Sequence, residues 1–78
     1  MIKKGQIWGN DNIKYVITQV LPRRDKDGFI YKLYQAICGD GFCFDELKEE
    51  EIKQDNLIAE HPTWQEAVNS KEFMGEDK

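Results

Sequence analysis

The stretch IKYVITQVLPRRDKDGFIYKLYQAIC, residues 13–38, decides the fold. It reads as two apolar runs joined by a polar turn. Ile13, Tyr15, Val16, Ile17, Thr18 and Val20 are β-branched or aromatic, the side chains that suit a pleated, half-buried backbone. Pro22 has no N–H to give to a ladder, so it marks a strand end or an edge. Asp25-Lys26-Asp27-Gly28 is a turn, and Phe29 to Cys38 forms the returning strand. Alternation puts Phe29, Tyr31, Leu33 and Ile37 on one face of that strand. Ile30, Tyr34, Ala36 and Cys38 fall on the other. With apolar residues on both faces, this strand is expected to be central and covered on each side.

Working outward, Gly5-Gln6-Ile7-Trp8 reads as a short first strand and Gly9-Asn10-Asp11-Asn12 as a turn. Asp40-Gly41 is a two-residue hairpin signal. Phe42-Cys43-Phe44 then opens a fourth strand, with Phe42 and Phe44 sharing a face. This register sets Cys38 opposite Cys43, with facing Cα atoms about 4.5 Å apart. That spacing is at the short end of the disulfide range. In a reducing compartment the two thiols are expected close but unbonded. Lys48–Lys53 is too charged for a strand core and reads as a helical turn pinned by Leu47 and Ile52. Asn56–Glu60 is a short fifth strand.

Thr63 is a helix N-cap, with Glu66 placed to complete a capping box. Trp64, Ala67, Val68 and Phe73 form an apolar stripe on a helix over 63–74. An isolated helix this short is unstable, so it must dock on the sheet, with Trp64 as its expected anchor. Gly75 supplies the stop, and 75–78 reads as a frayed tail. One domain, 1–74, follows.

Five short strands, with a helical turn before the last, resemble the SH3-like small barrels. The expectation is a mainly β, five-stranded SH3-like barrel with a short C-terminal α-helix, α+β being the alternative. The segments Gly5-Gln6-Ile7-Trp8, Asp55-Asn56-Leu57-Ile58-Ala59-Glu60 and Thr63-Trp64-Gln65-Glu66-Ala67-Val68 go further. They look like small uncharacterised proteins carried by phages and prophages of Gram-positive bacteria. That resemblance implies no catalytic residues, and SH3-like folds in general bind peptides, RNA or DNA.

The chain's 78 residues carry a net charge of −4, which is unevenly spread. Residues 1–40 hold seven Lys/Arg against four Asp, and residues 41–78 hold four Lys against eleven Asp/Glu. A mildly basic sheet and an acidic C-terminal half are expected, the latter a possible mimic of nucleic acid. The longest apolar runs are too short to span a bilayer, and Met1-Ile2-Lys3-Lys4 lacks the apolar stretch of a signal peptide. The expectation is a cytoplasmic chain with no membrane contact.

Chemistry is scarce. Cys38, Cys43 and His61 fall short of the four ligands a structural zinc site needs. No motif places a nucleophile beside His61. The acidic run Glu49-Glu50-Glu51 lacks the alternating oxygen ligands and sharp-turn Gly of a calcium loop. Gly39-Asp40-Gly41 lacks the Lys-Ser/Thr of a phosphate loop. Neither an enzyme nor a bound cofactor or metal is expected. What remains is a basic and aromatic set on the second and third strands: Arg23, Arg24, Lys26, Lys32 and Tyr34. A protein partner is the leading expectation. Nucleic acid held by this hairpin is the alternative, against which the isoelectric point of about 4.9 weighs.

Overall fold

The computed structural model describes residues 1–39, 41 and 43–74. The apolar runs of the opening stretch form the two longest strands. The elements in chain order are β1 (Gln6–Gly9), β2 (Lys14–Arg24), β3 (Ile30–Cys38), β4 (Cys43–Lys48), α1 (Glu49–Ile52), β5 (Asn56–Glu60), α2 (Trp64–Val68) and α3 (Lys71–Met74). The strands make one antiparallel sheet in the order β4-β3-β2-β1-β5, so the fold is mainly β. β4 and β5 are its edges. Among the described residues, no helix is long and apolar enough to cross a membrane.

Strand alternation splits the core between the two faces of the sheet. Tyr15, Ile17, Tyr34, Ala36 and Cys38 point to one face, where Ile2 and the α1 residue Ile52 cover them. Ile7 and Val16 point to the other, where Ala67 and Phe73 from α2 and α3 cover them. The root of β3 is therefore central and covered on both sides, as expected. Trp64 is only half-buried, and Ala67 and Phe73 are the buried residues of α2 and α3.

Two bulges keep this sorting in step with the chain. Ile17 faces Ala36 and Gln19 faces Gln35, so Thr18 is an extra residue in β2. An inserted residue reverses the alternation beyond it. Val20 consequently points into the same cluster as Ile17, three positions away. On the other side of β3, Ala36 faces Phe44 and Tyr34 faces Leu47, giving β4 its own extra residue. Leu47 thereby joins the same cluster.

The expected pairing of Cys38 with Cys43 is corrected. Gly41 takes φ 87° and its N–H donates to Cys38 O at 3.0 Å. The chain re-enters the sheet with Cys43 facing Ile37. A slip of one residue exchanges faces. Cys38 is a buried thiol and Cys43 an exposed one. The expectation that Phe42 and Phe44 share a face lies outside the described residues.

The single helix expected over 63–74 is two. Thr63 caps α2 as expected, its Oγ1 accepting from Glu66 N–H at 3.1 Å. Asn69 and Ser70 then break the helix, because short polar side chains compete for backbone groups. Asn69 Nδ2 donates to Gln65 O at 3.0 Å, and Ser70 Oγ to Ala67 O at 2.6 Å. Ser70 Oγ also accepts from Phe73 N–H at 3.3 Å, so the residue that ends α2 starts α3. His61 Nε2 lies 3.3 Å from Glu72 Oε1 and ties α3 to the end of β5. The expected frayed tail at 75–78, with its Gly75 stop, lies outside the described residues.

Two contacts hold the loops at the sheet's ends. Gly5 has φ 91°, and a Cβ there would sit 2.3 Å from His61 O. The Tyr15 hydroxyl donates to Asp55 Oδ2 at 2.6 Å, joining β2 to the loop before β5. Burial first, then the bond to Asp55 and its charge, raise the Tyr15 pKa above the usual phenol value.

Gly5→Ala is expected to cost at least about 2 kcal/mol, from left-handed backbone strain together with the clash, as measured by urea unfolding. Tyr15→Phe is expected to cost about 1.5–3 kcal/mol at neutral pH, the usual worth of a hydrogen bond to a charged group. The neutral phenol is the form the folded state favours. Its contribution is complete below the unfolded-state value near pH 10 and is lost as pH rises beyond that. Burial raises Tyr34 in the same direction. Denaturation at rising pH should show a steep alkaline loss in the parent and a shallower one in Tyr15→Phe.

Candidate interaction surface on the strand 2–3 arm

β2 and β3 outrun the rest of the sheet. β1 pairs with β2 only as far as Val16, and β4 pairs with β3 only from Leu33 onward. Beyond those points the pairs Pro22–Lys32, Arg23–Tyr31 and Arg24–Ile30 form a two-stranded ribbon with both edges free. This is why Pro22 is tolerated inside a strand. No neighbouring strand there asks for its missing N–H.

The tip of the ribbon is closed by its own chemistry. Asp25 N–H donates to Phe29 O at 3.0 Å, and Gly28 N–H to Asp25 O at 3.0 Å. Lys26, Asp27 and Gly28 thus form a three-residue hairpin loop, with Gly28 in the left-handed conformation at φ 89°. Asp25 Oδ1 accepts from the N–H groups of both Asp27 and Phe29, each at 2.9 Å. Arg24 Nη1 donates to Gly28 O at 3.0 Å. A loop with this many internal bonds holds its shape before any partner arrives.

The side chains on this ribbon are unusual for a solvent-facing element. Phe29 is 71% exposed, Ile30 65% and Tyr31 42%. Arg23, Arg24, Lys26 and Lys32 are all exposed as well. Among the described residues, none of these four cations has an ion-pair partner; the two salt bridges lie elsewhere, at Lys53–Glu49 and His61–Glu72. Beside the arm, a cleft of about 440 Å³ is lined by Ile30, Tyr31, Lys32 and Tyr34 together with Met1, Lys48, Glu49 and Glu50.

The structure therefore brings together four of the five expected contact residues, Arg23, Arg24, Lys26 and Lys32. It withdraws the fifth. Tyr34 is 2% exposed and belongs to the core at the root of the arm, where Val20 and Leu47 pack on it. The expected contact set took Tyr34 and left out Phe29, Ile30 and Tyr31. Distance along the arm overrides face, because α1 and the C-terminal helices cover only its root. Phe29, Ile30 and Tyr31 are exposed apolar residues of the arm that the expected set left out. The signal was present opposite them: cross-strand neighbours of Arg23 and Arg24 cannot sit in a dry core without burying those charges.

The chain matches no known family model, no curated protein and no solved structure.

Because the arm lies beyond the core, Phe29→Ser and Tyr31→Ser are each expected to shift stability by no more than about 0.5 kcal/mol, as for surface sites generally. Leu33→Ala, at the buried root, should cost about 2–5 kcal/mol. Urea midpoints of the three variants test where the core ends.

Proposed function

We propose that the chain is a small non-enzymatic interaction module that grips another protein through its β2–β3 arm. One observation carries this reading: three adjacent large apolar side chains, Phe29, Ile30 and Tyr31, stand in solvent on a hairpin whose tip is fixed by its own hydrogen bonds. Exposed apolar groups gathered on one element mark contact sites, and aromatic residues with Arg are those that anchor protein interfaces. A rigid arm also loses little freedom on binding. The resemblance to phage-borne small barrels supports a cytoplasmic partner within host machinery, with the module acting as its modulator.

A nucleic-acid partner is the second reading. It is favoured by four exposed cations, unpaired among the described residues, on a two-stranded ribbon, an element that fits the major groove of DNA. The chain's net charge of −4 opposes it.

A photo-crosslinking phenylalanine analogue placed at position 29 tests the first reading in the cells that make the protein. The expected result is a discrete adduct with one protein, lacking when the analogue replaces the exposed Asn12. Equal adducts at both positions, or an adduct with nucleic acid, would overturn it.

A further inference from the structure

We infer that the surface gripped by the arm is an acidic segment of the partner protein with an apolar recess. This rests on the arm being the contact element and adds the chemistry of what it contacts. Residues 22–32 carry four Lys/Arg against two Asp, a balance of +2, so with −4 overall the remainder of the chain carries −6. Of the two carboxylates, Asp25 is engaged in holding the loop through Asp27 and Phe29 N–H. The molecule is thus a cationic arm on an anionic body.

Geometry separates the two charges. From Phe29 to Lys32 the ribbon reaches about 14 Å past Leu33, at about 3.4 Å per residue. Fields of exposed charges are screened over about 8 Å at physiological salt. Glu49 and Glu50 reach the arm only at the cleft lined by Ile30, Tyr31 and Lys32; an acidic surface that docks on the tip meets Arg24 and Lys26 while most of the body's charge is screened. A basic surface would be drawn to the body instead, leaving Phe29, Ile30 and Tyr31 in water. The apolar groups set the second requirement. Cross-strand pairing puts Tyr31 beside Arg23 and Ile30 beside Arg24, and alternation adds Phe29 to the first face and Lys32 to the second, so each face of the ribbon offers cationic and apolar groups together. A polyanion of uniform charge satisfies only the cations. An acidic polypeptide with interspersed apolar side chains satisfies both, and aliphatic Ile30 has no stacking role to play on a nucleobase.

Fluorescence anisotropy with three labelled probes tests this: a glutamate–tyrosine copolymer, a lysine–tyrosine copolymer and a short mixed-sequence DNA duplex. The full chain is expected to bind the acidic copolymer best, weakening at least about tenfold between about 50 and about 300 mM salt. Arg23→Glu with Lys32→Glu should abolish that binding at an unchanged melting temperature. Should the reversal disturb folding, Arg23→Gln with Lys32→Gln makes the same comparison, with a smaller loss expected. No affinity for the acidic copolymer, or equal affinity for the basic one, overturns the acidic partner; a discrete protein adduct at position 29 would then still stand. Tighter binding to the duplex than to the acidic copolymer overturns the protein partner altogether.

Discussion

The side chain of Gln6 is the tie on which the arrangement depends. It is buried, and every polar position of its amide is used. Its Oε1 accepts from Lys3 N–H at 2.9 Å and from Trp8 Nε1 at 3.0 Å. Its Nε2 donates to Met1 O at 3.1 Å and to a Glu60 carboxylate oxygen. A buried amide left unpaired costs about 1–3 kcal/mol per orphaned group, so the four partners are held as a set. Through them the N-terminal segment is folded back against the sheet, Ile2 enters the core, and β5 is held alongside β1. β1 is only four residues long, and it separates β5 from the rest of the sheet. A strand so short gains little from its own ladder. The amide network supplies the register that length does not.

From that anchored end the sheet is built to project in the other direction. Both faces are covered at the root of the long strands, by α1 against β3 and β4 on one side and by α2 and α3 against β1 and β2 on the other. None of these helices exceeds five residues, so the cover runs out before β2 and β3 do. The bulge at Thr18 keeps Val20 and Tyr34 in the core up to that limit. Beyond Leu21 and Leu33 every residue of the ribbon is exposed. The arm is what remains when an eleven-residue strand crosses a core too small to cover it.

Much of this was legible in the residues. Asn56–Glu60 forms the fifth strand at the expected boundaries, Thr63 caps the helix that follows it, and the charged run after Lys48 makes the expected helical turn. These are local effects, set by capping, by turn residues and by spacing within a few positions. What was misread depends on contacts across the chain. The Asp40-Gly41 pair signals a tight turn, but Gly41 closes a wider one and Cys43 changes face. A continuous apolar stripe from Trp64 to Phe73 reads as one helix, while the Asn69-Ser70 pair inside it carries the stop. The face of Tyr34 was placed with Lys32 correctly, yet its burial depends on how far α1 and Leu47 reach. Periodicity reports which side of a strand a residue faces, and it is silent on whether anything lies there.

The ribbon's free edges have a consequence for how such a protein changes over generations. Its loop is closed by Asp25 and Gly28, and its strands are held at the root, so the positions between answer to almost no folding constraint. Substitutions at 23, 26, 29, 30, 31 and 32 can accumulate without passing through an unfolded ancestor. On the proposal that the arm grips a partner, selection on this segment acts on recognition alone, and the body can stay constant while the target drifts. Related chains should accordingly diverge fastest at these positions and slowest at Gln6, Gly5 and Tyr15. A lineage pursuing a changing target would find here a place to keep pace with it.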